Sequence, residues 1–138
     1  SPGVSQLFYG DETGRKLSDA QYNVDSAQAF RSDMDWGEID TLQLDHFRRL
    51  GKIRQQHPAI VKGIQTTIDT HTCHRRHNDD RLIIRVRPIP GQPIRVSPFF
   101  PDSTLVTDLY TGQTATVRNG TVTFPRHENA IAILHPAN

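Results

Sequence analysis

The sequence is poor in cysteine, in aromatic residues and in net charge, and it contains no long apolar run. Its one cysteine, Cys73, allows no internal disulfide and indicates nothing about the redox compartment. No apolar stretch approaches the roughly 20 residues of a membrane-spanning helix. The formal charge of +1 lacks the excess of Lys and Arg that phosphate binding requires. We therefore expect no nucleic-acid and no membrane partner, and the localisation stays unknown.

The length sets the next limit. A complete eight-stranded (β/α)8 barrel needs roughly 200 residues or more, and this chain has 138. That length suits one domain with a sizeable core and an additional helical arm.

The first twelve residues read as a short strand followed by an acidic turn. Pro2-Gly3 is a turn signal, and the apolar run from Leu7 to Tyr9 is typical of a buried strand. Asp11 and Glu12 follow at its end, which is where barrel enzymes build their active sites. Because the two are adjacent on an extended segment, we expect their side chains to point to opposite faces.

A polar stretch over residues 11–37 predicts a long loop, and loops of that length are often functional. Arg31 and Trp36 are its candidate substrate-binding residues. An arginine fork can hold sugar hydroxyls, and an indole offers a flat surface for a pyranose ring. The alternative is structural: Trp36 packs the loop down, and Arg31 pairs with Asp33 or Asp35.

The clearest element is a helix from Asp40 to about His57. Asp40 can serve as its N-cap, with Gln43 three residues later, and Pro58 ends it by disfavouring a helical conformation at His57. The basic residues in its second half complement the helix dipole, although they could also form a binding patch. Apolar side chains recur at helical spacing, at Ile39, Leu42, Leu44, Phe47, Leu50 and Ile53.

Beyond residue 63 the period becomes strand-like, and short strands separated by turns predict an antiparallel sandwich. Asn119-Gly120 is the sharpest hairpin signal. We therefore divide the chain into domains 1–60 and 61–138. The predicted strands cover 64–69, 82–86, 94–96, 105–109, 114–117, 122–124 and 131–134. The residues expected to be buried at the centre are Ile84, Val86, Leu109, Val122, Ile131 and Ile133.

One cluster could suggest a metal, because histidine and cysteine both bind zinc. On a strand, three of its members would share a face, but the spacing fits no standard zinc motif and two neighbouring arginines would repel a cation. A solvated strand or hairpin edge explains the cluster better, so we expect no metal and no cofactor in this chain. The cluster consists of His71, Cys73, His74 and His77.

Three segments, in order along the chain, resemble the alpha-amylase family of glycoside hydrolases. Residues 2–12 resemble the eighth barrel strand of that family, and Arg31-Ser32-Asp33-Met34-Asp35-Trp36 is similar to a loop beyond it. Residues 47–60 are similar to the eighth barrel helix and its exit. A weaker similarity to the family's C-terminal β-domain includes Asp108-Leu109-Tyr110-Thr111-Gly112.

The resemblance implies a mainly β fold, in which an antiparallel β-sandwich domain follows the last strand and helix of a (β/α)8 barrel. It implies a C-terminal fragment of an enzyme that cleaves α-1,4-linked glucans with retention. In that family the catalytic carboxyl groups come from earlier barrel strands, so the resemblance implies no catalytic residue in this chain. Arg31 and Trp36 would contact substrate.

Several alternatives stay open. Relatives that act on α-1,6 bonds or transfer glucans share these motifs. A different class of function is a non-catalytic glucan-binding or structural β-module. Separated from a barrel, the apolar surface of residues 1–60 needs a partner, so we expect the helix 40–57 either to fold onto the β-domain or to pair two copies of the chain.

Overall fold

The computed structural model describes residues 6–16, 33–34 and 36–137. It divides into two compact units, Ser1–Arg49 and Leu50–Asn138. The domain division at residues 60 and 61 stays a prediction. Within the described residues, no helix is long and apolar enough to cross a membrane.

In the first unit, the predicted strand from Leu7 to Tyr9 is absent. The regular element at this position is a single turn of 3-10 helix, Asp11–Thr13. A strand forms when its backbone N–H and C=O groups bond to a neighbouring strand, and no strand of the described residues lies before Ile64. The prediction of a strand was therefore wrong for the chain as it folds here.

Helix α1 spans Thr41–Gln56, as the sequence predicted. Its N-cap is confirmed, because one carboxylate oxygen of Asp40 accepts the backbone N–H groups of Leu42 and Gln43, each at 3.0 Å. The Gln43 side chain does not complete a capping box. It donates instead to the backbone oxygen of Asp11. Past His57, a second helix that the sequence did not predict, α2, spans Pro58–Lys62.

Eight antiparallel strands follow in the second unit, arranged as a six-stranded sheet in the order β1-β2-β3-β8-β5-β6 and a two-stranded sheet of β4 and β7. Each of the seven predicted strands has a counterpart. The strands are β1 Ile64–Asp69, β2 Thr72–His77, β3 Asp80–Val86, β4 Pro93–Arg95, β5 Leu105–Asp108, β6 Thr114–Thr116, β7 Thr121–Thr123 and β8 Ile131–Pro136.

Strand β2 corrects the interpretation of the histidine and cysteine cluster. It is no edge, since it pairs with β1 on one side and with β3 on the other. The sequence Thr-Cys-His-Arg-Arg-His carries no apolar alternation, so its pattern could not show that neighbours lie on both sides. Thr72 and His74 are both buried in it.

The turn between β6 and β7 forms as predicted, although the two strands belong to different sheets. Asn119 and Gly120 have φ values of 51° and 70°, the positive pair that a type I′ turn requires. Arg118 and Thr121 exchange two backbone hydrogen bonds across it, at 2.9 and 3.0 Å.

The second unit, Leu50–Asn138, contains all the strands of the described residues, and we call it the β-unit. Its core has two layers, one on each face of the larger sheet. Between the sheets, Ile83 and Leu134 pack with Val122 and Phe124. On the opposite face, Leu82 and Ile133 pack against Ile53, Ala59 and Tyr110. Because successive strand residues point to opposite faces, Leu82 and Ile83 reach different layers. The end of α1 therefore folds onto the sheet, which is one of the two arrangements expected for it.

The residues predicted to form the core differ in how deeply they are buried. Val122 and Ile133 are buried, whereas Ile84, Leu109 and Ile131 are half-buried. Val86 was predicted wrongly, because it is the last residue of β3 and 45% of it is exposed.

Candidate functional site

Asp11 and Glu12 are held by their own backbone turn. Asp11 accepts the N–H of Phe8 at 2.9 Å, and Glu12 accepts the N–H of Gly10 at 3.1 Å. Gly10 has a φ of 90°, a conformation that disfavours a side chain. These contacts shape the turn, and they do not aim the two carboxylates at a shared point.

The same turn presents aromatic side chains. The Phe8 and Tyr9 rings lie 4.4 Å apart between centroids, and the Arg15 guanidinium lies 4.5 Å from the Tyr9 ring centre. This arrangement is a cation–π contact. Phe8 and Tyr9 are 44% and 43% exposed.

The two predicted substrate-binding residues have different outcomes. Trp36 lies in a turn and is 74% exposed, so its indole is not packed into a core. Arg31 lies outside the described residues. The proposed contacts of both side chains with a glucan stay predictions.

A groove of about 510 Å³ runs beside β2 in the second unit. On its wall, the rings of His74 and Phe99 stack with centroids 3.9 Å apart and planes 11° apart. Burial, reinforced by the charges of Arg76 and Arg81, lowers the pKa of His74. Its Nε2 atom is buried and has no hydrogen-bond partner among the described residues. Polar side chains complete the lining at Arg76, Asn78, Asp79, Arg81 and His135.

A second polar cluster joins His57, Asp80 and His135. The Nδ1 atom of His57 lies 3.0 Å from Oδ1 of Asp80, and Nε2 of His135 lies 3.8 Å from the same oxygen. The other carboxylate oxygen of Asp80 accepts the Ala59 N–H at 2.8 Å. Among the described residues, this is the one group of three metal-type ligands whose atoms meet.

Electrostatics in the cluster favour the charged form of Asp80 and the neutral form of His135. Burial alone would raise the pKa of Asp80, but hydrogen bonds from His57 and the Ala59 N–H, with the charges of His57 and His135, leave it lowered. Burial and the charges of His57 and Arg81 lower the pKa of His135, although Asp80 opposes this.

Sequence reasoning missed this cluster because its members are far apart along the chain. His57 precedes a helix, Asp80 begins β3 and His135 lies near the end of β8. No local spacing could have connected them. The sequence pointed instead to residues 71–77, whose histidines and cysteine do not meet as a group of ligands.

Comparison with known proteins gives one sequence relative and several relatives in fold. The chain is 33% identical over 90 residues to the periplasmic alpha-amylase of Escherichia coli K12, a match that covers 61% of this chain and 13% of that protein. No family model matches the chain.

Two solved structures show the same fold. Ttha1563 from Thermus thermophilus matches 99% of this chain with a TM-score of 0.75 and 19% identity. The alpha-amylase from Geobacillus thermoleovorans, solved with acarbose, matches 94% with a TM-score of 0.73 and 15% identity. The chain spans 28% and 29% of the lengths of those two chains.

These matches confirm the mainly β, antiparallel fold. The resemblance to the alpha-amylase family is also confirmed: the chain is similar to alpha-amylases in sequence and in fold, and it spans a part of their length.

Proposed function

We propose that the chain is the C-terminal part of an alpha-amylase-like glycoside hydrolase that cleaves α-1,4-linked glucans. The observation that carries this proposal is the 33% sequence match to an alpha-amylase. The fold supports it, because 94% of the chain superposes on an amylase that was solved with acarbose. Enzymes that act on α-1,6 bonds or transfer glucans remain alternatives within this class.

The catalytic carboxyl groups of such an enzyme would belong to the rest of the barrel. A retaining glycosidase places two carboxyl groups about 5–5.5 Å apart across the scissile bond. In this chain, Asp11 and Glu12 each accept a backbone N–H of their own turn. This chain would contribute the end of the barrel and the β-domain, without a nucleophile or a general acid.

The first experiment measures hydrolysis of a chromogenic maltooligosaccharide by the purified chain. We expect no turnover, because neither covalent nor acid catalysis has its groups. Variants Asp11→Asn and Glu12→Gln are the controls. Turnover by the chain that either variant abolishes would contradict the proposal.

Trp36 is proposed to contact the glucan in the intact enzyme, together with Arg31. The exposure of the indole supports this role, because 74% of the residue is accessible for stacking. In the intact enzyme, Trp36→Ala should raise KM by several-fold, whereas Trp36→Phe should retain much of the affinity. Equal KM values for all three proteins would contradict a stacking role.

A glucan-binding β-module is the second candidate, and the groove beside β2 favours it. An aromatic ring with several polar groups around it is typical of sites for small polar ligands. Retention of the chain on insoluble starch, lost in Phe99→Ala but kept in Ile89→Ala, would support this function. Ile89 is a suitable control because it is 63% exposed. No retention of the unmodified chain would exclude it.

Self-association through the helix 40–57 is a further proposal about partners. Leu42 supports it, since 82% of this residue is exposed on α1. Sedimentation should show dimers that Leu42→Glu dissociates and that Ile89→Glu leaves intact. A monomer at all concentrations would count against pairing. We also expect no binding to nucleic acid or to membranes, as the charge of +1 suggests.

A further inference from the structure

The cluster of His57, Asp80 and His135 has the composition and spacing of a metal site. One ligand atom from each residue lies within 4.8 Å of the other two, and the closest pair is 3.0 Å apart. Zinc bonds of about 2.0–2.2 Å to nitrogen and oxygen require ligand atoms about 3.3 Å apart in a tetrahedron. The two nitrogen atoms lie 3.0 and 3.8 Å from the same Asp80 oxygen, on either side of that value.

The protein already orients these ligands. The Ala59 N–H holds one oxygen of Asp80 at 2.8 Å, so the other oxygen faces His57 and His135. Such an outer bond is typical of a ligating carboxylate. Pro58 restricts the residue before it, and His57 is extended there, with φ −119° and ψ 93°.

Burial leaves one side of the cluster accessible. The side chains of His57, Asp80 and His135 are 15%, 17% and 23% exposed. A metal held by all three would keep a position for water or another ligand. The positive charge of Arg81 acts on His135 and would weaken cation binding, which the Asp80 carboxylate opposes.

We propose that His57, Asp80 and His135 bind a divalent transition metal, with Zn²⁺ as the ion to test. Two imidazoles and one carboxylate suit zinc and its neighbours better than they suit Ca²⁺ or Mg²⁺, which prefer oxygen ligands. The ion would connect α2, β3 and β8, and would therefore stabilise the β-unit by binding its folded form. This inference does not depend on the proposed activity on α-glucans. It differs from the sequence analysis, which predicted no metal in this chain.

The test is equilibrium dialysis of the whole chain against Zn²⁺, with thermal unfolding measured in parallel. We expect one Zn²⁺ per chain, a higher Tm with Zn²⁺, and no comparable effect of Ca²⁺. Loss of a residue that only hydrogen-bonds to a metal ligand weakens metal binding by ~10–100-fold. Because His135→Gln removes a ligand itself, it should weaken Zn²⁺ binding by at least that much. His71→Gln changes an exposed histidine and should leave binding unchanged.

Two further variants keep the test decisive. Cys73→Ser should bind Zn²⁺ normally, which separates this site from the thiol. Asp80→Asn replaces one of the two oxygens that contact His57 and the Ala59 N–H with an amide donor, and it could unfold the chain. The visible spectrum of bound Co²⁺ with His135→Gln therefore serves as a second readout in folded protein. The absence of Zn²⁺ binding, unchanged binding in His135→Gln, or loss of binding in Cys73→Ser would each overturn the proposal.

Discussion

The described residues of the first unit and the residues of the β-unit differ in how completely they bury apolar side chains. Among the described residues, all the buried hydrophobic residues, from Ile53 to Leu134, lie in the second unit, Leu50–Asn138. In the described part of the first unit, five large apolar residues are exposed by 43–82%: Leu7, Phe8, Tyr9, Trp36 and Leu42. Ile39, Leu44 and Phe47 are half-buried there.

Helix α1 shows the same contrast within one element. Leu42 and Ile53 both belong to its apolar stripe, yet Leu42 is 82% exposed and Ile53 is 6% exposed. Ile53 packs with Leu82 and Ile133 of the sheet. Periodicity therefore sets which face of a helix is apolar, and the presence of a packing partner determines whether that face is buried.

The largest expected effect comes from matched phenylalanines in the two regions. Phe124 is fully buried and Phe8 is 44% exposed. Phe124→Ala should lower the free energy of unfolding by about 3–5 kcal/mol, because it leaves a cavity between the sheets. Phe8→Ala should change it by less than about 1 kcal/mol. Urea unfolding measures both, and equal losses would remove the contrast.

The next largest loss of stability is expected where a buried carboxylate accepts hydrogen bonds from the backbone of a turn. Asp108 is fully buried and accepts the N–H groups of Tyr110 and Ile133 at 3.1 and 3.0 Å, and the Thr111 hydroxyl at 2.7 Å. Asp108→Asn places an amide donor against one of these partners, which should cost about 1–3 kcal/mol.

Asp102 is the matched control for Asp108, because its exposed carboxylate accepts the N–H groups of Asn119 and Gly120 at 3.1 and 2.8 Å. Water can replace a bond lost in Asp102→Asn. Urea unfolding should therefore show a smaller loss there, and a larger one would mean that burial does not govern the cost.

A smaller effect tests the first unit through the cap of α1. Asp40→Ala removes the acceptor for the N–H groups of Leu42 and Gln43, at a cost of about 0.5–2 kcal/mol. The loss should appear as reduced helix content by circular dichroism. Exchange of the amides in β3 and β8 should stay unchanged, whereas faster exchange there would mean that the cap also supports the β-unit.

The smallest effect is the dependence of stability on pH. Burial lowers the pKa of His74 and of His127 below the ordinary value of 6.5. As the pH falls below about 6.5, these histidines become protonated in the unfolded chain before they do so in the folded chain. The free energy of unfolding is therefore highest above about pH 6.5, and it decreases as the pH falls through the lowered pKa values of the folded state.

Replacing His74 should reduce this loss without abolishing it, because His127 contributes in the same direction. His74→Gln and the exposed-site control His71→Gln can be compared by urea unfolding at several pH values in the presence of a chelator. Identical pH profiles for both variants would contradict a role for the burial of His74.

Local signals predicted the elements that are stabilised by their own residues or by nearby pairing. The cap at Asp40, the stop at Pro58 and the turn at Asn119-Gly120 were all read correctly, because the bonds and dihedral angles involved lie within a few residues. The antiparallel β architecture followed from the regular alternation of strands and turns, and the resemblance to alpha-amylases followed from ordered motifs.

Other outcomes depended on contacts that no local pattern contains. Residues 7–9 have the composition of a strand but lack a neighbouring strand in the described residues, whereas β2 lacks that composition and is paired on both sides. Val86 alternates with the core yet lies exposed at the end of its strand.

The sequence by itself therefore determined the class of fold, the helix and its ends, and the resemblance to the amylases. Only the tertiary structure decided which apolar faces are covered, and only it joined His57, Asp80 and His135 into one cluster. The physical reason is distance along the chain: capping and turns depend on neighbours in sequence, whereas burial and ligand clusters depend on the pairing of remote strands.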